Sequence, residues 1–214
     1  LVGLETSVPG QGNETFTQLG EGLSYDGRFV GFWGAWGEAT KTVRLYCPEE
    51  GNRDRIAYCN HNLVCAVEPG EPDPPPIGDT NINNDGYREE DVPVNQGLFV
   101  HDLKRDITYT VAKTHEGFDD LLYWNYSGKT PCVGSGHSEE GGVDDGESVR
   151  WRSSAFVAVS GRGSSVWTAF KARKGELNSN NIYVDPIDGI YLDKKSGSSP
   201  LITIVDTTMP GTYL

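Results

Sequence analysis

Residues 79 to 91 hold the most regular spacing of chemistry-bearing side chains in the sequence. Oxygen-bearing side chains occupy every second position before a glycine: Asp79, Asn81, Asn83 and Asp85. A calcium ion needs carboxylate and amide oxygens that converge from a tightly turned backbone. If Gly86 takes the sixth position of a calcium loop, Val92 falls on the twelfth and the nearest acid, Asp91, comes one residue early. The segment predicts either a calcium site or a solvated loop of Asx turns, which form without a metal.

A second group of carboxylates lies in an acidic loop at residues 134–147: Glu139, Glu140, Asp144, Asp145 and Glu147. Two carboxylates across a cleft are the machinery of glycoside hydrolysis. A run of acids beside glycines is more typical of a solvated loop, which we favour here. The four histidines stand near no recognisable nucleophile motif. The sequence therefore predicts no catalytic residue.

Two tryptophans in the segment from residue 31 to 37 are candidates for stacking on a sugar ring. Trp33 is expected to pack in the core of a strand. Trp36 follows a Gly-Ala pair, so we expect it at a turn, exposed, where an indole would offer a platform to a glycan or a partner.

The cysteines and two asparagines indicate an oxidising, secretory environment. The chain has four cysteines, which allow three pairings into two disulfides: Cys47, Cys59, Cys65 and Cys132. A zinc site is less favoured, because no CxxC pair is present. Asn13 and Asn125 each begin an Asn-X-Ser/Thr triplet and are candidate glycosylation sites. We expect a secreted or cell-surface protein.

Composition excludes two classes of partner. The net charge of the 214 residues is -13, which argues against nucleic acid, because phosphate binding depends on Lys and Arg. No apolar run approaches the roughly 18 residues that a membrane-spanning helix requires, so we expect no membrane insertion. An acidic surface favours cations, which agrees with calcium as a cofactor.

The elements that must position these side chains are predicted to be short strands. Strands are expected around residues 23–33, where Asp26-Gly27 marks a turn, around 42–46, and in several segments between 97 and 207. Residues 47 to about 96 interrupt the pattern with cysteines, a proline tract and an Asn/Asp-rich stretch. The prediction is one all-β domain over residues 1–214, with a disulfide-pinned insertion at about 47–96.

Three pairs of segments repeat one another. Residues 5–10 are echoed by residues 206–211, both ending in Pro-Gly. Gly97-Leu98-Phe99-Val100 is echoed by residues 189–192, and residues 110–114 are echoed by residues 203–207. Internal repeats mark architectures in which one unit needs a neighbour to bury its apolar face. The spacing fits two four-stranded sheets per repeat.

The order of these motifs resembles an uncharacterised propeller-like repeat of secreted and surface-anchored microbial proteins. The resemblance is carried by the Pro-Gly segment 6–10, residues 14–17, the strand after Asp26-Gly27, residues 189–192 and residues 204–207. It covers the greater part of the chain. It implies a β-propeller-like fold of short antiparallel strands in an extracellular protein, and it carries over no catalytic residues.

The repeat suggests a function by assembly. Strand pairing between the two ends of the chain would close a ring within one molecule or extend a filament between molecules. The residues expected at that contact are apolar: Leu1, Val2, Leu4, Leu201, Ile202, Ile204 and Val205. We therefore expect a non-enzymatic structural protein whose partner is itself or a neighbouring repeat. The alternative is a carbohydrate-binding or glycan-hydrolysing propeller that uses Trp36.

Overall fold

The computed structural model of the protein describes residues 2–49, 53–60, 86–129, 149–194 and 200–211. The described residues form twelve strands and one helix, so the all-β prediction is confirmed. The strands are β1 (Phe16–Asp26), β2 (Phe29–Trp36), β3 (Thr40–Tyr46), β4 (Tyr87–Pro93), β5 (Gln96–Asp102), β6 (Ile107–Lys113), β7 (Tyr123–Ser127), β8 (Arg150–Ser154), β9 (Val157–Arg162), β10 (Ser165–Lys174), β11 (Ile187–Asp193) and β12 (Ile202–Asp206), and the helix is α1 (Arg53–Asn60).

The chain divides into two compact units. The first unit comprises residues 1–41, 91–123 and 153–214, and the second comprises residues 42–90 and 124–152. The predicted insertion at 47–96 falls largely in the second unit. Regular structure returns at Tyr87, where β4 begins, so the prediction that it resumes at Gly97 is wrong.

The first unit contains two open, antiparallel sheets of four strands each. The first sheet has the order β1-β2-β5-β6, and the second sheet has the order β12-β11-β10-β9. The predicted Asp26-Gly27 turn joins β1 to β2, and Gly27 takes a positive φ of 56° that suits glycine. Neither sheet closes on itself, and a propeller is not shown.

The main core of the first unit lies between these sheets. Side chains alternate along each strand, so one face of every strand supplies the core. Its buried members are Phe29, Trp33, Ala35, Leu98, Val100, Val111, Ala112, Phe118, Leu121, Leu122, Ala155, Val166, Phe170, Ala172 and Tyr191. A smaller cluster covers the other face of the first sheet: Val8, Phe16, Phe32, Trp36 and Phe99.

The expected exposure of Trp36 is wrong. Its side chain is only 5% exposed, and its ring lies 6.2 Å from the Phe99 ring in an edge-to-face arrangement. The indole of Trp36 lies on the same face of β2 as Phe32, four residues earlier, so the alternation of the strand places it under the residues that cover this sheet. An indole buried in this way offers no face for a sugar to stack on.

The second unit is built around a disulfide. β3 pairs with β4, and β7 pairs with β8. Cys47 at the end of β3 is bonded to Cys59 in α1, with Cα atoms 5.8 Å apart. Tyr126 and Val149 pack with the disulfide in one buried cluster. Burial raises the pKa of Tyr126 to about 12.

Candidate interaction surface

Three aromatic rings pack together on the face of the first sheet that points away from the second sheet. Phe16 begins β1, Phe32 lies in β2 and Phe99 lies in β5. The centroids of Phe32 and Phe99 are 5.6 Å apart in a stacked pair. Phe16 meets them edge-on, 5.9 Å from Phe32 and 5.0 Å from Phe99. Such pairs stabilise beyond the area they bury, and we call these rings the first ring triad.

The same arrangement recurs in the second sheet. The centroids of Phe170 in β10 and Tyr191 in β11 are 5.7 Å apart and stacked. Phe118, from the segment that precedes this sheet, meets them edge-on at 5.8 Å and 4.9 Å. This second ring triad faces the first sheet and forms part of the main core. The ring-bearing faces of both sheets therefore point in the same direction.

The two triads occupy equivalent positions. Phe32 is paired directly with Phe99 across β2 and β5, and Phe170 is paired with Tyr191 across β10 and β11. The third strand of each sheet in chain order carries a ring, Phe99 in β5 and Tyr191 in β11. Each of these rings has a glycine two residues before it, at positions 97 and 189. A Cβ at Gly97 would lie 2.6 Å from the Phe99 ring, and a Cβ at Gly189 would lie 2.6 Å from the Tyr191 hydroxyl and 2.8 Å from its ring. Both glycines are therefore required by a similar close approach.

The strands that come fourth in chain order, β6 in the first sheet and β12 in the second sheet, share an irregularity as well. In the first sheet, a bulge leaves Val111 of β6 unpaired between Thr110 and Ala112. In the second sheet, a bulge leaves Ile204 of β12 unpaired at the echoed position. The two sheets therefore share an extra, unpaired residue at the same position of their edge strands. These two register shifts fall at matching positions of the predicted repeat between residues 110–114 and 203–207.

Equivalent residues differ sharply in burial. Leu98 and Val100 of β5 are 0% exposed, because the second sheet covers their face of the first sheet. Their counterparts in β11, Ile190 and Leu192, are half-buried. Among the described residues, the equivalent face of the second sheet therefore lacks the cover that the first sheet has.

An open groove lies on this uncovered face of the second sheet. Its volume is about 440 Å³. We call it the receiving groove, and it is lined by Gly22, Leu23, Ala155, Phe156, Val157, Ala158, Ala169, Phe170, Lys171 and Ile190. Ala169 precedes Phe170 as Gly31 precedes Phe32, so Ala169 is the counterpart of Gly31.

A second apolar surface lies on the ring-bearing face of the first sheet. A groove of about 390 Å³ runs beside Phe32, Val30 and His101. Leu23 borders it, and the side chain of Leu23 is 76% exposed. Tyr25, on the same face of β1, is 64% exposed. These two large side chains form an exposed apolar patch on one face of β1.

A polar network elsewhere in the first unit is satisfied within itself. Lys41 Nζ donates to the Tyr183 hydroxyl at 2.8 Å, and that hydroxyl donates to Asp120 Oδ2 at 2.8 Å. Burial lowers the pKa of Lys41, against the opposing effect of Asp120. Burial and the Asp120 carboxylate together raise the pKa of Tyr183 far above its ordinary value. This network braces the segment before the second sheet.

Arg173 and Asp188 tie β10 to β11 beside that network. Arg173 donates to both carboxylate oxygens of Asp188, at 2.7 Å and 2.9 Å. Tyr123 donates to the same carboxylate at 3.3 Å. Burial works to lower the pKa of Arg173, but the Asp188 carboxylate outweighs it and the pKa is raised.

The structure separates the residues predicted for self-assembly. Ile202 and Ile204 on β12 are 42% and 51% exposed. Leu201 packs against the main core, and Val205 is half-buried. Val2 packs against the smaller cluster, and Leu4 is 51% exposed in a turn. β12 pairs with β11, and Leu1 lies outside the described residues.

The remaining predicted sites are only partly described. The structure contains a disulfide, as predicted, and it joins Cys47 to Cys59, a pairing that the sequence left open. Cys65 and Cys132 lie outside the described residues. Asn13 and Asn125 are both exposed, so their glycosylation stays a prediction.

The predicted calcium loop falls almost wholly outside the described residues. Only Asp91, exposed on β4, is described, and Asp79, Asn81, Asn83 and Asp85 are not. The acidic loop at 134–147 lies outside them as well. Within the described part of the chain, no three His, Cys, Asp or Glu residues gather as a metal site would require. No described helix is long and apolar enough to cross a membrane.

The comparisons with known proteins add no further assignment. No family model, curated protein or solved structure matches this chain.

Sequence reasoning did not identify the residues of these two apolar surfaces, among them Leu23, Tyr25, Ala169 and Ile190. One signal was available for Leu23 and Tyr25, because both belong to a strand whose other face is predicted to enter the core. Apolar residues on the outward face of such a strand are expected to need a partner.

Proposed function

We propose that this chain is a non-enzymatic structural protein of the extracellular space, which associates head to tail into a filament or matrix or acts as one unit of a longer repeat. The observation that carries the proposal is the recurrence of the ring triad. Two equivalent sheets stack in the same sense, and the outer face of the second sheet has an apolar groove where its counterpart is covered. Repeat units gain stability from each neighbour they stack against.

Further features agree with this proposal. The Cys47–Cys59 disulfide suits an oxidising compartment, and exposed Asn13 and Asn125 suit a secreted glycoprotein. Four-stranded antiparallel sheets that stack face to face are also the building blocks of propellers, so a propeller-like repeat remains part of the proposal. A calcium ion in the loop at residues 79–91 is a further proposed element.

Sedimentation velocity over a wide concentration range tests the proposal, with negative-stain electron microscopy of the same samples. We expect the mean mass to rise above the monomer mass of 23.4 kDa as concentration increases. Filaments lost on adding a calcium chelator would place calcium at the contact, and filaments that persist would remove calcium from the proposal. A monomer at every concentration would overturn self-association.

A further inference from the structure

The contact between the two sheets in this chain shows how the repeat packs on itself. Val157 and Val159 of β9 lie against Gly31 of β2. A Cβ on Gly31 would lie 2.6 Å from Val159 Cγ1 and 3.2 Å from Val157 Cγ2. The Val159 backbone N–H also donates to Ser24 Oγ at 3.1 Å. Side chains of β9, the first strand of the second sheet in chain order, thus pack against β2, the second strand of the first sheet.

Strand register identifies the counterparts of these two valines in the first sheet. In chain order, the first strand of each sheet pairs with the second. β1 pairs with β2, which carries Phe32, and β9 pairs with β10, which carries Phe170. The paired residues are Leu23 with Phe32 and Val157 with Phe170, then Tyr25 with Val30 and Val159 with Thr168. Because Phe32 and Phe170 are equivalent, Leu23 is the counterpart of Val157 and Tyr25 is the counterpart of Val159.

The valines are covered and their counterparts are not. Val157 and Val159 pack against the main core as partly buried residues. Leu23 and Tyr25 are 76% and 64% exposed. On the opposite side of the stack, Ala169 stands where Gly31 stands and lines the receiving groove. The chain thus presents the two halves of one contact on opposite faces.

We infer that Leu23 and Tyr25 of one copy pack onto Ala169 in the receiving groove of a second copy. The inference rests on the proposed function and specifies its interface. The occupant is a second copy because the groove corresponds to the surface that β9 covers inside this chain. Ile190 and Leu192, the counterparts of two fully buried residues, extend the apolar floor on which the incoming sheet would lie.

One difference between the two faces limits the contact to part of the sheet. Lys171 stands where the first sheet has the buried Trp33. Its ammonium lies 4.2 Å from the centre of the Tyr123 ring, a cation–π contact that holds the charge at one side of the groove. Because Lys171 is paired directly with Ile190, the incoming strand packs over Ala169, two residues along β10 from Lys171.

The geometry makes the contact heterologous. Tyr25 and Ala169 lie on opposite faces of the stack, while Leu23 at the edge of β1 borders both grooves. Two copies therefore cannot satisfy both the Tyr25 contact and the Ala169 contact with each other by a two-fold axis. Heterologous contacts produce rings when the rotation closes and filaments when it does not. A dimer joined by one contact leaves one projecting and one receiving surface free.

Two variants separate the halves of the contact. Tyr25→Glu removes the projecting side chain, and Ala169→Glu places a charge in the receiving groove. Each alone is expected to weaken association by about tenfold or more, the loss typical of a central interface residue. Tyr25 is chosen over Leu23 because Leu23 also borders the receiving groove of its own copy. Ile190→Glu serves as a second receiving-face variant if Ala169→Glu is poorly folded.

Mixing the two variants gives the decisive readout. The Ala169→Glu copy keeps its projecting residues, and the Tyr25→Glu copy keeps its groove. We expect an equimolar mixture to form a dimer that grows no further, while each variant alone remains monomeric in sedimentation velocity. If Tyr25→Glu alone still forms dimers through the groove, the contact is isologous and the inference is wrong.

Controls distinguish this inference from the proposed function. Ile107→Glu and Val184→Glu alter side chains that are 46% and 50% exposed outside both surfaces, and both should associate like the wild type. A wild type that stays monomeric defeats the proposed function and the inference together. A wild type that associates equally well with Tyr25→Glu and Ala169→Glu leaves the proposed function standing and assigns assembly to another surface, such as the edge of β12.

Discussion

Val111 and Ile204 occupy the same bulge in the fourth strands of the two sheets, yet Val111 is 5% exposed and Ile204 is 51% exposed. Val111 belongs to the core that the two sheets share. Ile204 lies on β12 at the edge of the second sheet, and no other sheet in the described part of the chain packs over it. The difference in exposure between these chemically similar residues therefore reflects that, within the described residues, a second sheet packs only against Val111.

Alanine at these two positions should have opposite consequences. Val111→Ala is expected to lower the free energy of unfolding of the monomer by about 2 kcal/mol, because two buried carbon groups are removed and a cavity remains. Ile204→Ala should change it by less than about 0.5 kcal/mol, as is usual for exposed positions. Urea unfolding at low protein concentration measures both. Equal losses would mean that Ile204 is buried in solution.

The glycines before the third-strand rings should resist substitution in both sheets. Gly97→Ala brings a methyl group to 2.6 Å from the Phe99 ring, and Gly189→Ala brings one to 2.6 Å from the Tyr191 hydroxyl and 2.8 Å from its ring. We expect each to lower the free energy of unfolding by about 1–3 kcal/mol, the usual cost of overpacking. Gly3→Ala is the control, because its added Cβ meets nothing within 4 Å. A neutral result at either core glycine would show that the ring moves aside at little cost.

Local patterning explains why much of the fold is predictable from the sequence. The turn at Asp26-Gly27 has a backbone requirement that glycine meets. The Gly-x-aromatic pattern at 97–99 and 189–191 records a contact between a ring and the backbone two residues earlier. Both patterns involve residues only a few positions apart in the sequence, so they can be recognised from the sequence alone.

The candidate surface is less predictable because its contacts are distant in sequence. Trp36 follows a Gly-Ala pair that suggests a turn, but Phe99 and the residues before β1 cover it. Phe118 joins a triad from a segment with no strand pattern. The significance of Leu23 and Tyr25 depends on the register of β1 with β2, which fixes their equivalence to residues of another sheet. Periodicity within one strand cannot supply that register.

The polar network around Tyr183 should contribute to the stability of the first unit. Tyr183→Phe removes the donor to Asp120 and an acceptor of Lys41, both in a partly buried setting. The expected loss is about 1–3 kcal/mol, the cost of leaving such groups unpaired. Tyr25→Phe provides the control, because the exposed Tyr25 hydroxyl donates only to the nearby Gly27 carbonyl. Thermal unfolding at neutral pH compares the two, and similar midpoints would contradict a structural role for the network.

The disulfide should be needed for the second unit. Replacing both Cys47 and Cys59 by serine is expected to cost about 2–4 kcal/mol, because the crosslink restricts the unfolded chain. The double substitution is preferable to a reducing agent, which would also act on Cys65 and Cys132. Hydrogen exchange in β3 and α1 reports the effect locally, and unchanged protection there would show that the buried cluster holds the second unit without the bond.

Stability in acid should depend on Asp102. Its carboxylate is buried at the end of β5 and accepts a hydrogen bond from Arg28 Nε at 2.7 Å. Hydrogen bonding by Arg28, supported by the backbone N–H groups of Lys104 and Arg105 and opposed by burial, lowers the pKa of Asp102 from 3.8 to about 2.

Because the folded protein holds this carboxylate ionised at a lower pH than the unfolded chain does, the stabilisation is present above about pH 4 and is lost as the pH falls toward 2. Asp102→Asn should be less stable than the wild type at pH 6, and the gap should narrow as the pH falls through this range. Chemical unfolding at several pH values between 2 and 6 provides the test. A gap that stays constant over this range would show that the Asp102 carboxylate does not contribute through its charge.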